Sequence, residues 1–333
     1  MKRIYQIFFS HNSKLSRIQT VVEDIARTDI SVLIKGESGT GKELVARAIH
    51  QNSLRSSQPF IKVNCAAIPK RLLESELFGF EKGAFTGAHM KKPGKFELAN
   101  EGTILLSGIG EMDISVQGKL LQVLQDGQFF RLGGGGTVSV DTRIIATTQD
   151  HLEKAVREGL FREDLFYRIN TVTVTIPPLR DRKEQIVPFS QYFLNLYRTK
   201  YGRSVPSLSL RTLGAFKKYH WPGNIRELEN TIQRIVLLGD EEAVVRGLLS
   251  KGAGDERAVD ISRESHPDMN SADPADIRQV GRKAAETAEK RIIRNTLYET
   301  HWNRKDAARL LGVSYRTLLS KIQRYQLDKV QEL

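Results

Sequence analysis

The sequence predicts an α/β fold, a parallel sheet flanked by helices, from three observations. A glycine-rich turn at residues 36–43 follows an apolar, β-branched run at residues 30–34. The turn leads into an amphipathic helical pattern at residues 43–50. Three later apolar runs of the same kind lie at residues 60–64, 102–106 and 143–147. Strands that alternate with helices favour a parallel sheet that binds its ligand at the carboxyl ends of the strands.

The composition is that of an ordinary soluble protein, with 40% hydrophobic and 27% charged residues among 333. This length is sufficient for two or three domains. A single cysteine, Cys65, excludes an intramolecular disulfide framework and fits a reducing compartment. The seven histidines lack metal-ligand spacing, so we predict no metal site beyond the Mg²⁺ of a nucleotide. No apolar run reaches transmembrane length, and we expect a cytoplasmic protein without a membrane partner.

The charge is unevenly distributed along the chain, whose formal net charge is +12. Residues 278–333 hold 13 lysines and arginines against 6 aspartates and glutamates, whereas residues 251–277 hold 3 against 7. A basic tail beyond an acidic spacer favours nucleic acid as the partner of the tail. Charge alone is equally compatible with a solvated surface.

The glycine-rich turn predicts a phosphate-binding loop. Its glycines allow backbone N–H groups to point at an anion, the following helix adds its positive dipole end, and Lys42 supplies a cation for the outer phosphates. The usual Ser or Thr after this lysine, whose hydroxyl reaches Mg²⁺, is replaced by Glu43. The predicted nucleotide-binding residues of the loop are Gly36, Glu37, Ser38, Gly39, Thr40, Gly41, Lys42 and Glu43.

A second motif lies between the second and third predicted strands. Residues 83–88 are Gly-Ala-Phe-Thr-Gly-Ala, preceded by Glu-Leu-Phe-Gly at residues 76–79. This GAFTGA sequence marks the AAA+ activators of sigma-54 RNA polymerase, and the chain therefore resembles that family. The resemblance implies a contact loop for the sigma-54 RNA polymerase holoenzyme, and small residues around one aromatic and one hydroxyl suit that role. The loop residues are Gly83, Ala84, Phe85, Thr86, Gly87 and Ala88.

Two later segments extend the resemblance. Residues 161–168 resemble the arginine-finger segment of the family, and residues 221–228 resemble its lid motif. The resemblance implies that Arg162 and Arg168 enter the site of a neighbouring subunit, where an arginine can contribute roughly 10³–10⁵ in rate. It also implies that Arg226 contacts nucleotide in its own subunit, and that the subunits form a homo-oligomeric ring, usually a hexamer. A surface salt bridge is the alternative for any one of these arginines.

The third predicted strand departs from the family. Family members place Asp-Glu after it, the Asp to hold Mg²⁺ and the Glu to activate water, but this chain has Ser107 and Gly108. Asn64, which in the family couples that Glu to the contact loop, is present, whereas Thr147 and Thr148 end the fourth strand where relatives often carry Asn or His. Loss of a positioned general base alone costs about 10²–10⁴ in rate. We therefore predict ATP binding, a weakened Mg²⁺ site and strongly reduced hydrolysis.

The basic tail predicts a helix, a tight turn at Gly312 and a second helix capped by Ser314. It resembles the Fis-type helix-turn-helix that ends many of these activators, so we expect binding to double-stranded DNA at a dimeric site with half-sites about one helical turn apart. A helical hairpin without DNA contacts is the alternative. The predicted DNA-binding residues are Ser314, Tyr315, Arg316, Thr317, Ser320 and Lys321.

We predict five segments along the chain. Residues 1–12 are a short extension without a receiver domain, and residues 13–178 form the AAA+ P-loop domain. Residues 179–242 form a small α-helical lid, residues 243–280 a linker, and residues 281–330 the all-α helix-turn-helix domain. Without a receiver domain, a separate regulatory protein or control of the amount of protein would have to set its activity.

Three functions are compatible with these predictions. The favoured one is a sigma-54-dependent transcription activator. The alternative is a hydrolysis-deficient protein that binds nucleotide and DNA, either as a subunit of mixed rings or as a decayed paralogue. An AAA+ unfoldase or helicase loader fits the contact loop and the basic tail poorly. Restoring Asp and Glu at positions 107 and 108 discriminates between the first two functions.

Overall fold

A computed structural model describes residues 2–9, 13–149, 152–252 and 302–325, together with residues 289, 290, 293, 296, 297 and 300. It forms two units, divided between Ala258 and Val259, and each is described by itself.

The strands of the first unit are β1 Val32–Lys35, β2 Phe60–Asn64, β3 Gly79–Phe80, β4 Lys92–Pro93, β5 Thr103–Ser107, β6 Gln128–Phe130, β7 Thr137–Ser139, β8 Arg143–Thr148 and β9 Val172–Thr175. Five of them form a parallel sheet in the order β2-β5-β8-β1-β9, and the other four form two small antiparallel pairs, β3–β4 and β6–β7. The helices are α1 Lys2–Phe9, α2 Ser13–Ala26, α3 Lys42–Gln51, α4 Lys70–Phe78, α5 Lys95–Leu98, α6 Ile114–Asp126, α7 Leu152–Arg157, α8 Glu163–Ile169, α9 Ile186–Tyr201, α10 Leu210–Lys218, α11 Asn224–Leu238 and α12 Glu241–Gly252. This architecture confirms the predicted fold class.

Both faces of the sheet are buried, as the continuous apolar runs predict. Along β1, Val32 and Ile34 pack into one apolar cluster and Leu33 into the other. In β5, Leu105 joins the first cluster and Leu106 the second. Since successive side chains of a strand point to opposite faces, only an apolar run can serve both clusters.

The amino-terminal segment differs from the predicted extension at residues 1–12. Residues 2–9 form α1, and both Phe8 and Phe9 are buried in the core of the first unit. The Gln185 side-chain amide donates to the carbonyls of Ile7, at 3.1 Å, and Phe8, at 2.6 Å. The segment is therefore an integral part of the first unit, held by its aromatic side chains and by hydrogen bonds to its last turn.

The segment that follows the predicted lid also differs from the prediction. Residues 243–252, assigned to the linker by their glycines and charges, belong to α12. Val244, Val245 and Leu248 are buried on one face of this helix. Apolar residues at this spacing form a stripe along one face of a helix, and the packing of that stripe against the rest of the first unit stabilises α12. Residues 253–280 of the predicted linker lie outside the described residues.

In the second unit, α13 (Arg304–Leu310) and α14 (Tyr315–Arg324) are joined by a turn at Gly312, where φ is +64°. Leu318 and Ile322 of α14 are buried, and they pack with Ala307 and Ala308 of α13. This helix-turn-helix arrangement is the one that the sequence predicts.

Within the described ranges, no helix has both the length and the apolar character required to cross a bilayer.

Candidate nucleotide-binding site

The predicted phosphate-binding loop borders a cleft of about 380 Å³ at the carboxyl ends of β2, β5 and β8. Helix α11 of the predicted lid closes the other side of this cleft. The cleft brings together predicted residues from four separate parts of the sequence. They are Ser38, Gly39, Gly41, Lys42, Glu43, Asn64, Ser107, Gly108 and Arg226. The other predicted loop residues, Gly36, Glu37 and Thr40, are not among those that line the cleft.

The loop wraps around the start of α3. The Lys42 ammonium donates hydrogen bonds to the carbonyls of Gly36, at 2.6 Å, and Glu37, at 2.8 Å, which fold the loop over the lysine. Gly41 precedes the helix with φ +101°, a left-handed conformation that favours glycine. The Thr40 hydroxyl is buried and donates to the Glu37 carbonyl at 2.8 Å. These contacts hold the loop in a curved conformation around the start of α3.

The lid side is joined to the loop through Glu37. The Arg180 guanidinium donates two hydrogen bonds to the Glu37 carboxylate, at 2.5 and 2.9 Å, and the Asn224 amide donates a third at 3.1 Å. The Arg180 hydrogen bonds are the main cause that holds the pKa of Glu37 below its usual value, against the opposing effect of desolvation. Arg226 donates to the Ser38 hydroxyl at 2.9 Å. The predicted nucleotide-contacting arginine thus lies at the loop, on the first turn of α11.

At the carboxyl ends of the strands, Ser107 lies in register between Asn64 of β2 and Thr147 of β8. Gly108 follows with φ +72°, and its N–H donates to the Thr147 carbonyl at 2.9 Å. This row of side chains borders the phosphate loop. A serine hydroxyl and a glycine occupy the two positions at which the family places its carboxylates.

The described residues that line the cleft include two acidic side chains, and both are bonded to neighbours. Glu43 accepts hydrogen bonds from Lys62 at 2.5 Å and from Arg47 at 2.9 and 3.1 Å. Desolvation raises the pKa of Glu43, but the hydrogen bonds from Lys62 and Arg47 outweigh it and lower the pKa overall. Glu229 accepts a hydrogen bond from the Tyr197 hydroxyl at 2.8 Å.

The donor set does not fit a Mg²⁺ ion held by protein carboxylates, since such ions are usually bound by one or two carboxylates in addition to phosphates and waters. Asp113, six residues beyond Ser107, pairs with Lys70 at 3.1 Å, and neither Asp113 nor Glu111 lines the cleft. Among the residues that the structure describes, no cluster of three or more His, Cys, Asp or Glu side chains could hold a metal ion.

The two predicted finger arginines lie outside the cleft of their own subunit. Arg162 forms a two-point ion pair with Asp164, at 3.0 and 2.7 Å, which raises the pKa of the guanidinium. Arg168 is exposed and donates to the Leu124 carbonyl at 2.9 and 3.3 Å. Both side chains are accessible from outside the subunit.

The predicted contact loop extends between β3 and β4. Phe85 is 45% exposed and meets the ring of Phe80 edge-on, with the centroids 4.9 Å apart. Thr86 is exposed at the tip, and the Gly83 N–H donates to the Ala88 carbonyl at 2.9 Å to close the base of the loop. Of the predicted contact residues, Gly83, Phe85, Thr86 and Gly87 are exposed, whereas Ala84 is half-buried and Ala88 is buried.

In the second unit, the predicted DNA-binding residues lie at the start and along one face of α14. The Ser314 hydroxyl caps this helix by accepting from the Thr317 N–H at 3.1 Å. Tyr315, Arg316 and Ser320 are exposed. Lys321 is half-buried and forms an ion pair with Glu289.

Other residues, which the sequence analysis did not assign to the site, also support the loop or line the cleft. They include Phe8, Lys62, Arg180, Arg182 and Asn224. The Arg182 guanidinium is buried and donates to the Thr40 carbonyl at 2.6 Å. The sequence could have placed Lys62 at the site, because it lies two residues before Asn64 and therefore on the same face of β2. The others contact the loop from segments that are far away in the sequence.

Comparison with protein families assigns three segments of the chain. Residues 8–175 match the Sigma-54 interaction domain, residues 180–263 the AAA+ ATPase lid domain, and residues 284–325 the Fis family of bacterial regulatory proteins.

Among curated proteins, the chain is 45% identical over 308 residues to the regulatory protein AtoC of Escherichia coli, covering 91% of this chain and 64% of AtoC. It is 43% identical over 321 residues to the transcriptional regulatory protein FlbD of Caulobacter vibrioides, covering 95% of this chain and 70% of FlbD. The chain thus spans about two thirds of the length of these relatives.

Among solved structures, NtrX of Brucella abortus in complex with ADP is similar, with a TM-score of 0.67 and 30% identity over 98% of this chain and 71% of that chain. The structure of the same protein with ATP has a TM-score of 0.66, also at 30% identity, over 96% of this chain and 69% of that chain.

Proposed function

On the premise that this chain belongs to the family of sigma-54-dependent regulators, we propose that it binds ATP and DNA, contacts the sigma-54 RNA polymerase holoenzyme and hydrolyses ATP very slowly. The family has a sigma-54 interaction domain, an AAA+ lid and a Fis-type helix-turn-helix, and all three match here. The chemistry of this particular cleft distinguishes the chain from an ordinary activator.

ATP binding is supported by the pre-formed loop. The backbone of residues 36–43 surrounds the start of α3, Lys42 lies within it, and Arg226 reaches it from the lid side. These are the components that bind the phosphates of a nucleotide in phosphate-binding loops. Complexes of the similar protein NtrX with ADP and with ATP support the same assignment.

Slow hydrolysis is supported by one observation, the side chains at the end of β5. Ser107 and Gly108 provide neither a carboxylate ligand for Mg²⁺ nor a general base for water. The acidic side chains that line the cleft, Glu43 and Glu229, are hydrogen-bonded to other residues. Removal of a general base lowers rates by about 10²–10⁴, and loss of the metal ligand adds to that cost.

The test is to measure ADP affinity by calorimetry and phosphate release from ATP on the same purified protein. We expect measurable affinity and turnover well below about 1 s⁻¹, the low end of typical enzymes. The paired variant Ser107→Asp/Gly108→Glu should increase turnover by at least about 10². Ordinary turnover by the wild-type chain would refute slow hydrolysis, and absence of nucleotide binding would refute the nucleotide site itself.

The contact loop supports the polymerase-bound sigma-54 factor as the partner. Phe85 and Thr86 are accessible at the tip of a loop closed at its base, and Phe80 supports the aromatic ring from beneath. A Phe85→Ala variant should lose binding to sigma-54 holoenzyme and keep its nucleotide affinity. Unchanged holoenzyme binding would assign the contact to another surface.

A second function, as a subunit of mixed rings, is favoured because the chain keeps Arg162 and Arg168 although it lacks the two carboxylates at positions 107 and 108. Such a subunit would donate arginines to the cleft of an active neighbour and hydrolyse little ATP itself. The test uses an active family member whose own finger arginines are replaced by alanine. Added wild-type chain should restore its turnover, and the Arg162→Ala/Arg168→Ala chain should not. No restoration would exclude this function.

A further inference from the structure

The first turn of α3 carries a carboxylate, that of Glu43, which pairs with two cationic side chains. Glu43 stands at the position whose hydroxyl ordinarily reaches Mg²⁺ in a phosphate-binding loop. Its carboxylate instead binds the ammonium of Lys62, at 2.5 Å, and the guanidinium of Arg47. Lys62 extends from β2, the strand that also places Asn64 in the cleft, and its side chain lines the cleft.

The described lining of the cleft also carries more cations than carboxylates. It includes Lys42, Lys62 and Arg226 against Glu43 and Glu229, and both carboxylates are already hydrogen-bonded to neighbouring side chains. In an ordinary site a carboxylate at position 107 binds the metal and at the same time repels the oxygens of a metal-free polyphosphate. The hydroxyl of Ser107 is uncharged, so it neither attracts the metal ion nor repels the phosphates in this way. The cleft therefore lacks the carboxylate that would make it bind a metal-bound nucleotide more tightly than a metal-free one.

We propose that this cleft binds nucleoside di- and triphosphates without a divalent cation, and that Lys62, paired with Glu43 at the cleft, supplies the positive charge in place of the metal. The proposal rests on the proposed nucleotide site and specifies the ionic form of the ligand. If the protein supplies no ligand to a metal ion that is bound to the nucleotide, that ion can change the free energy of nucleotide binding only slightly.

The experiment is calorimetric titration of the full chain with ADP in excess Mg²⁺ and, separately, in excess EDTA. We expect the two dissociation constants to agree within about threefold, which is below the usual range of coupling between linked ligands. The Ser107→Asp variant is the positive control. Its carboxylate restores the shared ligand, so Mg²⁺ should tighten its ADP binding by about fivefold or more.

Replacement of the lysine tests its role directly. Lys62→Ala should weaken ADP binding in EDTA by about tenfold or more, since a charge-assisted hydrogen bond is lost. It also leaves the Glu43 carboxylate with fewer cationic partners, so Mg²⁺ should now improve binding. The matched control is Lys119→Ala, because Lys119 is 37% exposed against 41% for Lys62, pairs with Glu74 at 2.6 Å and does not line the cleft.

The outcomes separate this proposal from the function on which it rests. ADP binding by the wild-type chain that is tenfold or more tighter in Mg²⁺ (about 1.4 kcal/mol) would overturn metal independence and leave the nucleotide site intact. Unchanged affinity in Lys62→Ala would overturn the role of the lysine. Absence of binding in both buffers would refute the nucleotide site and this proposal with it.

Discussion

The ring of Phe8 lies directly against the backbone of Gly41, the last residue of the phosphate-binding loop before α3. A Cβ atom on Gly41 would stand 2.6 Å from Cε2 of Phe8. The ring also meets the buried Arg182, whose guanidinium carbon lies over it at 4.8 Å from the centroid. Burial lowers the pKa of Arg182 to about 10, and its guanidinium donates a hydrogen bond to the Thr40 carbonyl. Helix α1 therefore packs against the phosphate-binding loop at Gly41.

Removal of the Phe8 ring should destabilise the first unit and weaken nucleotide binding at a distance. Phe8→Ala creates a cavity at a fully buried position, and we expect a loss of about 3–5 kcal/mol in the free energy of unfolding. Urea unfolding followed by the fluorescence of Trp221, in a Trp302→Phe background, measures this unit, because Trp302 belongs to the other. ADP affinity of the folded variant should also fall.

The control for this variant is Leu54→Ala. Leu54 is 85% exposed, and its replacement should change the free energy of unfolding by less than about 0.5 kcal/mol. If Phe8→Ala kept both its stability and its ADP affinity, α1 would not support the loop.

The sequence predicted the sheet because its central strands are buried on both faces. Only a continuous apolar run can satisfy such a strand, and Val32, Ile104 and Ile145 belong to runs of this kind. The edge strand β9 was missed because it is short and alternates, with Val174 buried and Thr173 exposed. Helix α1 was missed because eight residues give little periodicity, and the burial of Phe8 depends on Arg182, far along the chain.

The same distinction applies to the candidate site. Motifs located Lys42, Ser107 and Arg226, because a phosphate loop and a strand end have local signatures. The neighbours that hold Glu37 could not be predicted, since Arg180 and Asn224 reach it from 143 and 187 residues away. Such pairings are set by the packing of the lid and not by the residues beside them in sequence.

The amide of Asn224 should be necessary for the lid-to-loop connection. Asn224 is buried, donates to the Glu37 carboxylate and the Ser38 carbonyl, and accepts from the Leu179 N–H at 2.7 Å. Asn224→Ala leaves that N–H without its acceptor, at a cost of about 1–3 kcal/mol. Its φ of +53° is also unfavourable for alanine, by roughly 1–2 kcal/mol. We expect ADP affinity to fall by about tenfold, measured by calorimetry.

Asn230→Ala on the same helix is the matched control. Asn230 is exposed on α11 and does not line the cleft, so its replacement should leave ADP affinity unchanged. Equal affinities in the Asn224 and Asn230 variants would show that the lid connection does not contribute to nucleotide binding.

Residues 133–136 are four consecutive glycines, and replacing different members of this run should affect the contact loop to different extents. A Cβ on Gly133 would lie 2.7 Å from Ala84, and its φ is +69°, whereas a Cβ on Gly135 would meet nothing within 4 Å. Gly133→Ala should therefore displace the loop and weaken sigma-54 holoenzyme binding by about tenfold, while Gly135→Ala should not. Tryptic cleavage after Lys82 and Lys91 gives an independent readout, and should be faster in Gly133→Ala alone. Equal behaviour of the two variants would mean that the glycine run does not position the loop.

Two of the three basic residues of α14, Arg316 and Lys321, should contribute to DNA binding by different amounts. Arg316 is exposed near the start of the helix, where a recognition helix meets base edges, whereas Lys321 is held by Glu289 within its own unit. Arg316→Ala should weaken a specific site by about 1–3 kcal/mol and affect random DNA less, because base contacts and not phosphate contacts discriminate between sequences. Lys321→Ala should lower the affinity less, and similarly on both DNAs, since DNA must compete with Glu289 for the ammonium. Fluorescence anisotropy with both duplexes at several salt concentrations measures these effects. An equal loss on both duplexes for Arg316→Ala would assign that residue to the phosphates.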